Sequence, residues 1–96
     1  MTVYVILRIT VHDPDKLKAY QKVAPAIIEQ YEGTLLARGG EVVSLEGSTD
    51  NRRTVIIEFP TMEKAKSFYR SPEYTDAILL RKGAAEFEVM VVEGFA

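Results

Sequence analysis

Ninety-six residues with 12 basic and 14 acidic side chains give a formal charge of −2, and 47% hydrophobic with 27% charged residues is the balance of one ordinary globular domain. The absence of cysteine removes disulfides, thiolate nucleophiles and cysteine-held clusters, and the single His12 cannot build a multi-histidine metal site within one chain. The charge balance lacks the footprint of a nucleic-acid binder, the apolar runs are too short to span a membrane, and no signal-peptide pattern precedes the first strand, so a cytoplasmic location is expected.

Residues 2–11 alternate: Val3, Val5, Leu7, Ile9 and Val11 share one face, while Tyr4, Ile6, Arg8 and Thr10 share the other. This period of two predicts a strand with one fully apolar face. Asp13 and Pro14 form a helix start, N-cap then first turn. Leu17, Tyr20, Ala24, Ile27, Ile28 and Tyr31 continue it as an amphipathic stripe. Pro25 lacks the N–H for its i→i−4 bond, which predicts a kink near Tyr20 and Gln21. Gly33 is the expected C′ stop.

Thr34–Arg38 and residues 41–46 both read as strand, broken or bulged at Gly39-Gly40. A polar turn cluster at residues 47–51 precedes a strand over Arg53–Phe59, which Pro60 ends. Thr61 caps a second helix carrying Ala65, Phe68 and Tyr69. Ser71 and Pro72 start a third, whose inner face includes Ala77, Ile78 and either Leu80 or Arg81 and which stops at Gly83. Residues 86–92 are the last strand. The order βα-ββ-αβ, with no linker or repeat, predicts a single α+β domain over residues 1–96. The fold is ferredoxin-like, a four-stranded antiparallel sheet with its helices on one side. The other face would expose Tyr4 and Ile6, joined by Met90 or Ile56. A chain this short buries only roughly 60–65% of its unfolded surface. A homodimer through the open sheet face, with any sizeable interior shared between two copies, is therefore expected.

Several blocks then fit one pattern: Arg38-Gly39-Gly40, Leu45-Glu46-Gly47, Arg53-x-Val55-Ile56-x-Glu58-Phe59-Pro60 and Ser71-Pro72-Glu73-Tyr74. Together with Tyr20, Pro25-Ala26-Ile27, Arg81 and Glu93-Gly94, the chain resembles the domain-of-unknown-function family numbered 1330, over roughly Tyr4 to Gly94. The resemblance implies the dimeric α+β barrel superfamily and no established activity. One departure is Glu32, where a second glycine is expected before Gly33, which loosens that turn.

Arg38 beside Gly39 and Gly40 offers a planar guanidinium fork next to unobstructed backbone, a candidate anion clamp. The alternative is a β-bulge with Arg38 in a structural ion pair. Glu46 is the candidate general acid or base, and the alternative is an ion pair with Arg38, Arg53 or Arg81. Glu58 is expected to share the open face with Arg8 as a paired charge. Tyr4, Tyr20 and Tyr74 are candidates to line a pocket, against plain core packing, and Arg81 is a further candidate ligand-binding residue. Ser71 has its duty as N-cap, and His12 lies in a turn beside Asp13. Haem-binding relatives of the superfamily would need an axial ligand on a helix, where His12 does not lie, so neither metal nor cofactor is expected.

Two functions remain open. One is a cofactor-independent enzyme acting on a small anionic or aromatic metabolite, held in a pocket between sheet and helices. The other is a noncatalytic small-molecule-binding or purely structural dimer.

Overall fold

The alternating apolar positions of the first segment build the centre of the sheet. In the computed structural model, which describes residues 1–95, the elements run β1 (Val3–Val11), α1 (Pro14–Gln30), β2 (Thr34–Arg38), β3 (Arg53–Phe59), α2 (Met62–Arg70), α3 (Pro72–Leu80) and β4 (Ala85–Glu93). The strands pair antiparallel in the order β2-β3-β1-β4. This is the ferredoxin-like α+β fold. Val3, Val5, Leu7 and Ile9 are buried on one face of β1, where Ile57 and Phe59 of β3 join them. The helices cover that face with Leu17, Ala24 and Ile28 of α1, Ala65 and Phe68 of α2, and Tyr74 and Ala77 of α3.

Each helix starts at a side-chain oxygen that satisfies a backbone N–H of the first turn. Asp13 accepts from the Lys16 amide at 3.1 Å, and Thr61 from the Lys64 amide at 3.1 Å. Ser71 serves two helices at once. Its buried hydroxyl donates to the Phe68 carbonyl at 2.8 Å and accepts from the Tyr74 amide at 3.0 Å, closing α2 and opening α3.

The end of α1 differs from the expected glycine stop. The left-handed C′ position is occupied by Glu32, at φ 68°. The Glu32 amide bonds to the Glu29 carbonyl at 3.0 Å, and the Gly33 amide to the Ile28 carbonyl at 2.8 Å, the paired bonds of a Schellman motif. Gly33 is required for space instead. A Cβ there would stand 2.7 Å from Ile28 Cγ2 and 2.8 Å from the Phe59 ring.

Residues 41–46, expected as strand, are irregular. β2 bulges at Leu36, between the pairs Leu35↔Ile57 and Ala37↔Ile56, and its last pair is Arg38↔Val55. Gly39, at φ 74°, then turns the chain out of the sheet. Because β3 begins only at Arg53, residues 41–46 have no strand of their own chain to pair with.

The face away from the helices carries Tyr4, Ile6 and Arg8 of β1, Glu58, Ile56 and Thr54 of β3, and Val92, Met90 and Glu88 of β4, as the register requires. Met90 and Val92 are exposed. At one end Arg8 pairs with Asp50 at 2.9 Å rather than with Glu58, correcting the sequence expectation. Arg52 bonds to Asp50 at 3.0 Å and also to Glu88. These contacts tie the return leg of the loop between β2 and β3 to the open face. Among the described residues no helix is long and apolar enough to cross a membrane.

Two outcomes follow from this packing. Gly33→Ala should destabilise the chain by about 1–3 kcal/mol in denaturant unfolding, because Ile28 and the Phe59 ring must give way. Glu32→Gly should instead stabilise it slightly, relieving about 1 kcal/mol of left-handed strain against loss of a surface ion pair with Lys64 worth less than that. The Asp50 carboxyl provides a pH test. Hydrogen bonds from Arg52, with the nearby Arg8 charge adding, hold it down at about 2. The folded value lies below the unfolded one, so this tie is complete above about pH 4 and is lost as pH falls towards 2. Carboxyl NMR titration should find the Asp50 midpoint near the lower figure.

Candidate functional site

A cleft of about 50 Å³ lies between α1 and the helix-covered face of the sheet. Leu17, Ala24 and Ile28 form its helical wall, and Leu7, Val55 and Phe87 part of its floor. These side chains are there because the α1 stripe and the inward register positions of the strands meet across this layer. The walls are apolar, and polar groups gather at one end.

Pro25 sets that end. It lies inside α1, which runs through it unbroken, and it has no N–H to give to the carbonyl of Gln21. That carbonyl accepts instead from Arg38 Nη2 at 3.4 Å. A helix-interior proline thereby frees an acceptor that draws the last residue of β2 across the cleft mouth. Arg53, the first residue of β3, lines the same mouth. Its guanidinium lies against Gly39, whose missing Cβ would stand 2.6–2.8 Å from its atoms. Any side chain at Gly39 would displace it. Among the described residues neither Arg38 nor Arg53 has a carboxylate partner.

The opposite wall is aromatic. The Tyr20 and Tyr74 hydroxyls bond at 2.5 Å, and the Tyr20 ring stands edge-on to Phe87 with centroids 5.4 Å apart. Behind them lies Arg81, 6% exposed, its guanidinium carbon 3.5 Å from the Phe87 centroid, 5.1 Å from Tyr20 and 5.8 Å from Tyr74. Ring faces partly compensate a desolvated cation, yet Arg81 Nη1 has no hydrogen-bond partner. Burial, reinforced by Tyr74, drives the Tyr20 phenol far above its ordinary range. Burial also raises Tyr74, against the opposing pull of Arg81. Both phenols therefore keep their protons at neutral pH, and one donates while the other accepts.

Of the residues singled out from sequence, Arg38 and Tyr20 line this cleft, Gly39 lies against the guanidinium of Arg53, and Tyr74 and Arg81 stand behind the aromatic wall. Gly40 is not among the lining residues and has open space where its side chain would be. Tyr4 lies across the sheet on the open face, opposite Glu58 and Val92. Glu46 stands exposed on the loop between β2 and β3, away from the cleft lining, and is in none of the ion pairs with Arg38, Arg53 or Arg81 that its sequence context suggested. Arg53 and Phe87 are among the lining residues that sequence reasoning did not place in the site. The signal for Arg53 was Gly39, which makes room for it. His12 is exposed and bonds to Glu86 at 2.8 Å.

The family described as a domain of unknown function (DUF1330) matches residues 2–95. No curated protein matches the sequence. Among solved structures, a protein of unknown function from Rhodopseudomonas palustris aligns with TM-score 0.74 at 17% identity, covering 99% of this chain and 83% of that one. A dimeric ferredoxin-like protein of unknown function from Jannaschia sp. aligns with TM-score 0.73 at 10% identity, over 98% and 100% of the two chains. SnoaB, a cofactor-independent oxygenase from Streptomyces nogalater, aligns with TM-score 0.68 at 14% identity, over 99% and 94%. Likeness at these identities establishes the fold, and the chemistry of the cleft has to be tested on this chain.

Pro25→Ala does so directly. The restored amide should close on the Gln21 carbonyl, raising the melting temperature while releasing Arg38 from the cleft mouth. Arg38 side-chain NMR signals should then sharpen towards those of a free arginine.

Proposed function

The chain belongs to the family described as a domain of unknown function, DUF1330, and from that premise we propose that it is a homodimer that binds a small anionic molecule with an apolar body. The observation behind this reading is the cleft mouth, where two guanidinium groups, Arg38 and Arg53, stand without carboxylate partners at the end of an apolar space. A ligand carboxylate or phosphate would meet two planar forks. Its apolar part would enter between α1 and the sheet. Tyr20 would offer a neutral phenol at the far wall, held in place by Tyr74, Phe87 and Arg81. The cleft is small, so the ligand class is a short carboxylate or a single aromatic acid. No cofactor is part of this reading.

Dimerisation would use the open sheet face, whose centre is Ile6 between Ile56 and Met90. An unburied apolar sheet face of this kind marks an interface, and a face-to-face pair of sheets would bury it.

A catalytic version of the reading has one observation in its favour. The Tyr20 and Tyr74 hydroxyls share a hydrogen bond in which either is able to donate, so one of them could be turned towards a substrate. Glu46, the proton acceptor expected from sequence, lies outside the cleft lining, and among the described residues that lining holds no carboxylate or imidazole. Binding without turnover is therefore the stronger form.

A thermal-shift screen of small carboxylates and phosphates should find anions that raise the melting temperature of the wild type. Arg38→Lys keeps the charge but loses the fork, and should weaken binding by about tenfold or more, as loss of a charge-assisted hydrogen bond implies. A folded wild type that no anion stabilises would overturn the reading. For the dimer, sedimentation should find two copies at micromolar concentration and one for Ile6→Asp. A stable wild-type monomer would defeat that half of the proposal.

A further inference from the structure

The hydroxyl pair behind the aromatic wall has a direction. Tyr74 is 1% exposed, and among the described residues its hydroxyl has one acceptor within reach, the Tyr20 oxygen at 2.5 Å. Arg81, whose guanidinium carbon lies 5.8 Å from the Tyr74 ring centroid, carries N–H groups that only donate. A buried O–H left without an acceptor is costly. If Tyr20 donated to Tyr74, the Tyr74 proton would be in that position. The opposite order satisfies both groups, because Tyr20 borders the cleft and Tyr74 does not. Tyr74 therefore donates to Tyr20, and the Tyr20 proton is the one left to seek a partner in the cleft.

The charge behind the pair favours the same order. Arg81 is in no ion pair among the described residues, and its Nη1 has no hydrogen-bond partner. A buried cation compensated only by ring faces polarises the hydroxyls in front of it and strengthens the last donor of the chain. It also repels any cation brought to that wall. Burial keeps the Tyr20 phenol protonated, so the donor persists at neutral pH. The two ends of the cleft thus ask for different groups. The guanidinium forks of Arg38 and Arg53 suit an anion, the aromatic wall suits an acceptor oxygen, and the apolar lining between them suits carbon.

We propose that Tyr20 is the specificity-determining residue of the cleft and donates to a carbonyl oxygen of the ligand, which narrows the ligand class to short oxo acids. The inference rests on the anion-binding reading and names the second group that the ligand carries. A carbonyl oxygen accepts one hydrogen bond and brings no proton of its own to a wall that lacks a carboxylate or imidazole. An ammonium would meet the Arg81 charge. A second carboxylate would leave oxygens unpaired against apolar walls.

Two pairs of acids of matched length test this by titration calorimetry: 4-oxopentanoate against pentanoate, and 5-oxohexanoate against hexanoate. The wild type should bind the better oxo acid about fivefold more tightly than its alkyl counterpart, the effect of one net hydrogen bond. Tyr20→Phe should reverse that preference, because a ketone entering a cleft without the donor loses its water for nothing in return. Arg38→Lys should weaken both members of a pair alike and leave the preference in place. Circular dichroism and thermal melting check that each variant folds. Tyr20→Phe/Tyr74→Phe removes both hydroxyls and leaves neither unpaired, so it repeats the test if the single variant is unstable. Equal affinity within each pair for the wild type, or a preference that survives both tyrosine variants, would overturn the role of Tyr20 while leaving the anion clamp standing. A folded wild type that binds none of the four acids would overturn both.

Discussion

All three helices lie on one side of a four-stranded sheet, and the rest of the molecule answers to that asymmetry. Along β1 the odd positions Val3, Val5, Leu7 and Ile9 meet the helices and are buried. The even positions Tyr4, Ile6 and Arg8 meet neither helix nor strand side chains from a second layer. The elements of the described residues are all used in the sheet and in the one layer of helices, so none of them covers the second face. The two faces consequently take different work. The covered face holds the core and the cleft beneath α1. The bare face keeps an apolar centre, with Glu58 beside Tyr4 towards one end and the Arg8–Asp50–Arg52–Glu88 cluster at the other.

What was legible in the sequence was what is decided locally. The alternation of β1, the caps Asp13, Thr61 and Ser71, and the strand over Arg53–Phe59 each depend on residues a few positions apart, and each is found in place. Residues 41–46 show the limit of such signals. Their alternation is as strand-like as that of β2, yet a strand exists only where a neighbour supplies hydrogen bonds, and the turn at Gly39 removes the neighbour. The end of α1 was misassigned by one residue for a related reason. A glycine next to a helix end suggests positive φ, but Gly33 is demanded by Ile28 and Phe59, which are close to it only in the folded chain.

The candidate site was partly legible for the same reason. Arg38 and Tyr20 were recognisable as residues suited to a polar ligand. Arg53 was not, because what distinguishes it is the place of its guanidinium against Gly39, across two strands. Glu46 had the chemistry of an acid or base and sits in one of the matched blocks, but a residue in an unpaired loop is placed by nothing in its own segment. The link from Pro25 to Gln21 to Arg38 joins helix geometry to the cleft mouth. Only its first half follows from sequence spacing.

Three arginines border this region, and their surroundings divide their roles. A guanidinium removed from water must be compensated. At Arg81 the compensation comes from the faces of Phe87, Tyr20 and Tyr74 rather than from a carboxylate. That arrangement fixes the positions of the rings that form the far wall, and it joins the end of α3 to α1 and β4 through one side chain. Its charge also opposes the burial that raises the Tyr74 phenol, though burial prevails. Arg38 and Arg53 stay within reach of solvent at the mouth, held by a carbonyl and by a glycine. Neither is in an ion pair among the described residues, so an anion bound as proposed would not have to displace an internal carboxylate. A cation already paired inside the protein would have to break that pair to bind a ligand. On the proposed reading these two would not.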